Sequence, residues 1–139
     1  MKYLSIDSTI LNNKYCKEHN KHLPLNKNRK GIKVNIICDD IGSPLYSSIN
    51  ESITHDSKVG LKDIHKLVNK KLFKESLKDT KGYPYLLADS GYDSNKIKDK
   101  LNRSNIRYII KPNNINNRYK RKKRISKRFR LVCKVAGLN

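Results

Sequence analysis

Tyr85-Leu86-Leu87-Ala88-Asp89-Ser90-Gly91-Tyr92 is the stretch on which the fold turns. Four consecutive apolar residues without polar alternation are the pattern of a strand buried on both faces, as in a parallel sheet. An aspartate stands at the C-terminal end of that strand, and Ser90 and Gly91 turn the chain at once. Downstream, Asp93 or Ser94 is placed to cap a short helix carrying Ile97 and Leu101. Ile106 to Ile110 is then a second buried run, closed by Lys111-Pro112. Upstream, the opening Tyr3 to Ile10 is short, β-branched and apolar, which predicts a strand with Asp7 in its middle. A carboxylate inside a strand and another at a strand end both call for a reason beyond solvation.

Residues 11–30 are polar, rich in Asn and Lys and interrupted by Pro24, which predicts a loop ending in the basic pair Arg29 and Lys30 beside Gly31. From Ile32 the pattern alternates, with Ile32, Val34, Ile36 and Cys38 on one face. The turn formers of 39–44 stop it, and Leu45 to Asn50 follows as an antiparallel partner. In Thr54-His55-Asp56-Ser57, Asp56 or Ser57 is placed to cap an amphipathic helix over 57–74, whose Leu61, Ile64, Val68 and Leu72 recur at steps of three and four. The expected element order is β-β-β-α-β-α-β. A three-strand antiparallel meander followed by helix-linked parallel strands, with right-handed crossovers, returns strand four beside strand one. That gives a mixed α/β sheet of order 3-2-1-4-5, with Asp7 and Asp89 on neighbouring strands.

A chain of 139 residues is long enough for one domain with a real core. No stretch approaches the roughly 18 to 20 apolar residues of a membrane span, and the start MKYLSIDSTI lacks the h-region of a signal peptide. An intracellular protein without a membrane partner is expected. Cys16, Cys38 and Cys133 are too few for a disulfide framework, and Cys16, His19 and His22 lack a fourth zinc ligand at matching spacing. The formal charge is +20, a positive potential suited to a polyanion. From Lys100 to the end there are 14 Lys and Arg and no acid, and nine of these fall within residues 118–130.

Five segments, in order, resemble the insertion-sequence family of DDE transposases. YLSIDST is similar to its first-acid strand, NRKGIKVNIICDDIGSPL to its basic turn and second strand, and THDSKVGLKDI to the entry to its first helix. LLADSGYDS is similar to its second-acid strand and Gly-Tyr turn, and RYIIKPN to the strand that follows. The resemblance implies a ribonuclease H-like fold over residues 1–113, and DNA as partner together with other copies of the transposase. It also implies two Mg²⁺ or Mn²⁺ ions held by Asp7 and Asp89 for DNA cleavage and strand transfer. Arg29, Lys30, Lys111, Arg118, Lys120, Arg121, Lys122, Lys123 and Arg124 would hold phosphates without reading sequence.

The sequence departs from the family pattern in its C-terminal part. The family completes its site with a Glu spaced after a Tyr and an Arg. If Tyr119 is that Tyr, Lys122 and Ser126 occupy the Arg and Glu places. Asp93 is a conceivable substitute, though its position better suits a cap on the following helix. His55 is a candidate for supporting the site or for DNA, beside a plain role at the helix start. The expectation is a truncated, decayed or frameshifted copy, with residues 114–139 a divergent basic tail holding at most a short helix near Ile125 to Val135. The alternative is a nucleic-acid-binding module without catalysis.

Overall fold

β1 (Tyr3–Asn12) is the axis of the sheet. The protein's structure is a computed structural model that describes residues 2–12, 21–23, 26–78 and 82–113, with side chains described at 2–11 and from 31 onward. β1 runs antiparallel to β3 (Asn26–Asp39), from Leu4 opposite Asp39 to Asn12 opposite Gly31. β3 is antiparallel on its other side to β4 (Pro44–Glu51). The β3–β4 turn is tied by Asp39, whose Oδ1 accepts from the amides of Ile41 at 3.1 Å and Ser43 at 2.8 Å. Beyond β1 lie the two parallel strands β5 (Tyr85–Ala88) and β6 (Arg107–Ile110). The resulting order, β4-β3-β1-β5-β6, is the 3-2-1-4-5 arrangement expected for the five strands read from the sequence.

The region read as a loop at 11–30 departs from that expectation. β1 continues to Asn12, β2 (Lys21–Leu23) pairs with β3, and β3 already begins at Asn26. A ladder is closed by main-chain groups, and polar side chains do not prevent it where packing does not demand apolar ones. The order therefore gains a strand, β2, and a helix.

That helix comes from a break in the expected one. α1 (Asp56–Asn69) and α2 (Lys71–Lys78) are separated at Lys70, whose ψ of 132° is extended. The break shifts the phase of the apolar stripe, so Leu72 is 80% exposed while its neighbour Phe73 is buried. α3 (Asn95–Arg103) links β5 to β6. One face of the sheet, through Leu4, Ile6, Ile37 and Leu86, packs on Ile64, Leu67, Val68, Phe73, Ile97 and Leu101 of the three helices. Residues 114–139, and with them the basic tail and the helix read at its end, lie outside the described residues.

β3 turns the more polar of its two faces toward the core. Ile32, Val34, Ile36 and Cys38 do share a face, but it is the more open one, while Lys33, Asn35 and Ile37 are buried against the helices. The two polar residues are tolerated there because each finds a partner on α1, Asp56 for Lys33 and Asp63 for Asn35.

The helix break has a measurable consequence. Phe73→Ala should lower the free energy of unfolding by about 3–5 kcal/mol. Leu72→Ala should change it by less than about 0.5 kcal/mol. Urea unfolding of both variants checks this, and an unbroken helix over 57–74 would reverse the two.

Candidate active site

The parallel ladder between β1 and β5 pairs Tyr3 with Tyr85, Leu4 with Leu86 and Ser5 with Leu87. Asp7 lies two residues beyond Ser5 and Asp89 two beyond Leu87, so the two acids stand at the same level on neighbouring segments, whose strands are about 4.8 Å apart. Both are exposed. Each has one carboxylate oxygen fixed by a local amide. The Ser8 N–H donates to Asp7 Oδ1 at 2.8 Å, and the Gly91 N–H to Asp89 Oδ1 at 2.8 Å. Asp89 thereby caps the short 3-10 turn Ser90–Tyr92 that ends the strand. Hard oxygens on adjacent rigid segments suit a divalent cation such as Mg²⁺ or Mn²⁺. Among the described residues, no group of three His, Cys, Asp or Glu side chains completes such a site.

Behind the acids runs a chain of buried polar groups that the linear sequence does not announce. Tyr92, the last residue of the turn, points into the core and donates its hydroxyl to Asn35 Oδ1 at 2.6 Å. Asn35 Nδ2 donates to Asp63 Oδ2 at 2.6 Å, and Ser48 Oγ donates to the same oxygen at 2.6 Å. The ring of Tyr92 requires Gly60 on α1, since a Cβ there would lie 2.6 Å from its Cδ1 and 2.8 Å from its Cε1. Burial pushes the Tyr92 hydroxyl well above the ordinary phenol range. A hydrogen bond with Ser8 opposes this in part, and the nearby carboxylates of Asp56, Asp7 and Asp89 reinforce it. The phenol is thus a neutral donor held close behind all three acids.

Asp56 departs from its expected capping role. The N-cap of α1 is His55, which is exposed and makes no side-chain capping bond. Asp56 Oδ1 instead accepts from Ser8 Oγ at 2.8 Å and from Lys33 Nζ at 2.8 Å. Asp93 stands one residue before the N-cap of α3. It pairs with Lys98 and accepts the Asn113 amide at 2.8 Å, tying the end of β6 to the turn, while Ser94 takes the N-cap position of α3. Lys111 is exposed at the end of β6, near the level of the acids, with its amide on the Ala88 carbonyl at 3.1 Å. The main chain of Arg29, Lys30 and His22 lies in strands of the β2–β3 pair. Cys16, His19 and Arg118 to Arg124 lie outside the described residues.

The one sequence signal that could have exposed this network is the alternation in β3. Lys33 and Asn35 fall on the face opposite the apolar set, and a long polar side chain on a buried face needs a partner brought from elsewhere.

Tyr92→Phe should cost about 1–3 kcal/mol by orphaning Asn35 Oδ1. In the parent, the unfolded phenol loses its proton above pH 10 while the folded one keeps it, so stability is full below pH 10 and declines above it. Chemical denaturation from pH 8 to 11 should show a steeper alkaline loss in the parent than in Tyr92→Phe.

Comparison with known proteins bears on the fold and the family. The catalytic domain of Mos1 mariner transposase superposes with a TM-score of 0.51 at 12% identity, over 77% of this chain and 48% of that one. The Mos1 transposase paired-end complex with left transposon end gives 0.51 at 13%, over 81% and 35%. The Mos1 mariner paired end complex with Mn gives 0.52 at 12%, over 77% and 35%. The chain spans between a third and a half of those transposases, and the likeness is one of ribonuclease H-like fold. A search of curated protein sequences finds no match. The Transposase DDE domain family matches residues 2–135, nearly the whole chain, and the protein belongs to that family.

Proposed function

We propose that Asp7 and Asp89 form the two-carboxylate part of a divalent-metal site for phosphoryl transfer on DNA. The observation that carries this is that each acid follows by two residues the last pair of the β1–β5 ladder and has one oxygen fixed by a main-chain amide. Asp7 and Asp89 would hold Mg²⁺ or Mn²⁺, which when bound would supply activation of a water or a DNA 3′-hydroxyl and charge stabilisation at the leaving 3′-oxygen. The protein's own part is to hold the carboxylates in place and to bind phosphates. No covalent protein nucleophile is needed. The Mn-containing and transposon-end complexes of Mos1 support the same class of chemistry on this fold.

The basic residues Arg29, Lys30, Lys111, Arg118, Lys120, Arg121, Lys122, Lys123 and Arg124 are proposed to bind the DNA backbone. Other copies of the transposase are the proposed protein partner, in an intracellular setting where the DNA is. Among the described residues, no helix is long and apolar enough to cross a membrane. Lys122 and Ser126 at the family's Arg and Glu spacing leave the site without its third acid, so catalysis is proposed to be impaired. A second reading, a nucleic-acid-binding module without catalysis, is favoured by the 14 Lys and Arg without an acid from Lys100 onward.

Two outcomes separate the readings. A supercoiled plasmid incubated with the protein and Mn²⁺ should be nicked slowly, and Asp7→Asn or Asp89→Asn should abolish nicking while leaving DNA binding intact. Binding with no metal-dependent nicking in the parent would leave only the binding module. Replacing Lys120, Arg121, Lys122, Lys123 and Arg124 by Gln should weaken binding to any duplex alike. It should also flatten the slope of log K against log salt by about 0.9 for every phosphate no longer neutralised.

A further inference from the structure

The β1–β5 ladder ends at Ser5 and Leu87, two residues short of the acids. Main-chain pairing therefore brings Asp7 and Asp89 to neighbouring segments but does not itself fix their spacing. Among the described residues, the Asp56 carboxylate reaches both segments. Asp56 Oδ1 accepts from Ser8 Oγ at 2.8 Å, and the Ser8 amide in turn donates to Asp7 Oδ1 at 2.8 Å. On the other side, Asp56 Oδ2 and Asp89 Oδ1 each lie 3.1 Å from the point where a Cβ on Gly91 would sit. The glycine lets the Asp56 carboxylate press against the turn that carries Asp89.

Asp56 is itself held from behind. Lys33 Nζ donates to Asp56 Oδ1 at 2.8 Å and to the Thr54 carbonyl at 2.5 Å, and its side chain is only 8% exposed. Separating the two would leave a buried polar group without its partner, so the pair resists separation. Its second bond, to Thr54, anchors the chain just before α1.

Resting on the reading of Asp7 and Asp89 as a metal pair, we propose that Asp56, braced by Lys33, is a positioning residue that sets the spacing between them. It acts through Ser8 on one acid and through Gly91 on the other. A charge effect alone makes a different prediction. Removing Asp56 makes the site more positive and removing Lys33 makes it more negative, so the two changes would shift cation binding in opposite directions. Loss of positioning shifts both the same way.

The test is Mn²⁺ titration of the full chain by calorimetry, with folding followed by circular dichroism, for the parent and for Asp56→Asn, Lys33→Met and Asp89→Asn. Asp56→Asn and Lys33→Met should each weaken Mn²⁺ binding by about tenfold or more, as removal of a ligand's supporting partner does at metal sites. Ser8→Ala leaves the ion pair in place and should shift affinity in the same direction, which keeps the test open if either of the others fails to fold. Unchanged affinity in these variants, or opposite shifts for Asp56→Asn and Lys33→Met, overturns the proposal while a loss in Asp89→Asn upholds the acid pair. An Asp89→Asn protein that binds Mn²⁺ like the parent overturns the acid pair and the positioning role together.

Discussion

The parallel pairing of β1 with β5 is the constraint from which the rest of the molecule follows. Only three residue pairs make that ladder, yet they bring a residue from the start of the chain and one more than eighty positions later to the same edge of the same sheet. Everything between them serves the crossing: a hairpin that widens the sheet, and two helices that cover one face and return the chain in the direction a parallel strand needs. β5 is short and relies on both neighbours, β1 and β6, for its main-chain partners. Apolar burial of Leu4 and Leu86, paired across the ladder, holds it in register against α1 and α3.

So short a ladder needs support at its open end, and the support is polar. Tyr92 reaches from the turn after β5 to Asn35 on β3, and Asn35 reaches Asp63 on α1, which also takes Ser48 from β4. Four elements of three kinds are thereby joined through one set of short, largely buried bonds. Such bonds are directional, so they specify one arrangement where apolar packing alone would tolerate several. The arrangement is not without cost. Asp63 is fully buried, and its Oδ1 has no hydrogen-bond partner among the described residues. A helix stripe that carries an aspartate between Gly60 and Ile64 gives up hydrophobic burial for that connection.

The sequence was legible wherever a local pattern and a packing demand coincide. β5, β6 and α3 follow from apolar runs and their punctuation, and the antiparallel hairpin follows from alternation broken by Asp39 to Pro44. It was illegible at three places for identifiable reasons. Polar residues at 21–23 and 26–30 enter strands because pairing there uses only the main chain. The break at Lys70 leaves no mark in a periodicity that remains apolar at Leu72 and Phe73 alike. On β3 the more apolar face is turned outward, because the partners of Lys33 and Asn35 come from α1 and from Tyr92, tens of residues away.

By itself, the sequence determined the family and the relative order of the five strands read from it, because each depends on local pattern and chain order. Only the tertiary structure decided that Asp56, a residue suited to capping a helix, leaves the cap and joins Ser8 and Lys33 instead. A carboxylate at a helix start can satisfy an amide or a cation. The choice is made by a buried ammonium that no window of sequence around Asp56 contains, since Lys33 is brought to it by the pairing of distant strands.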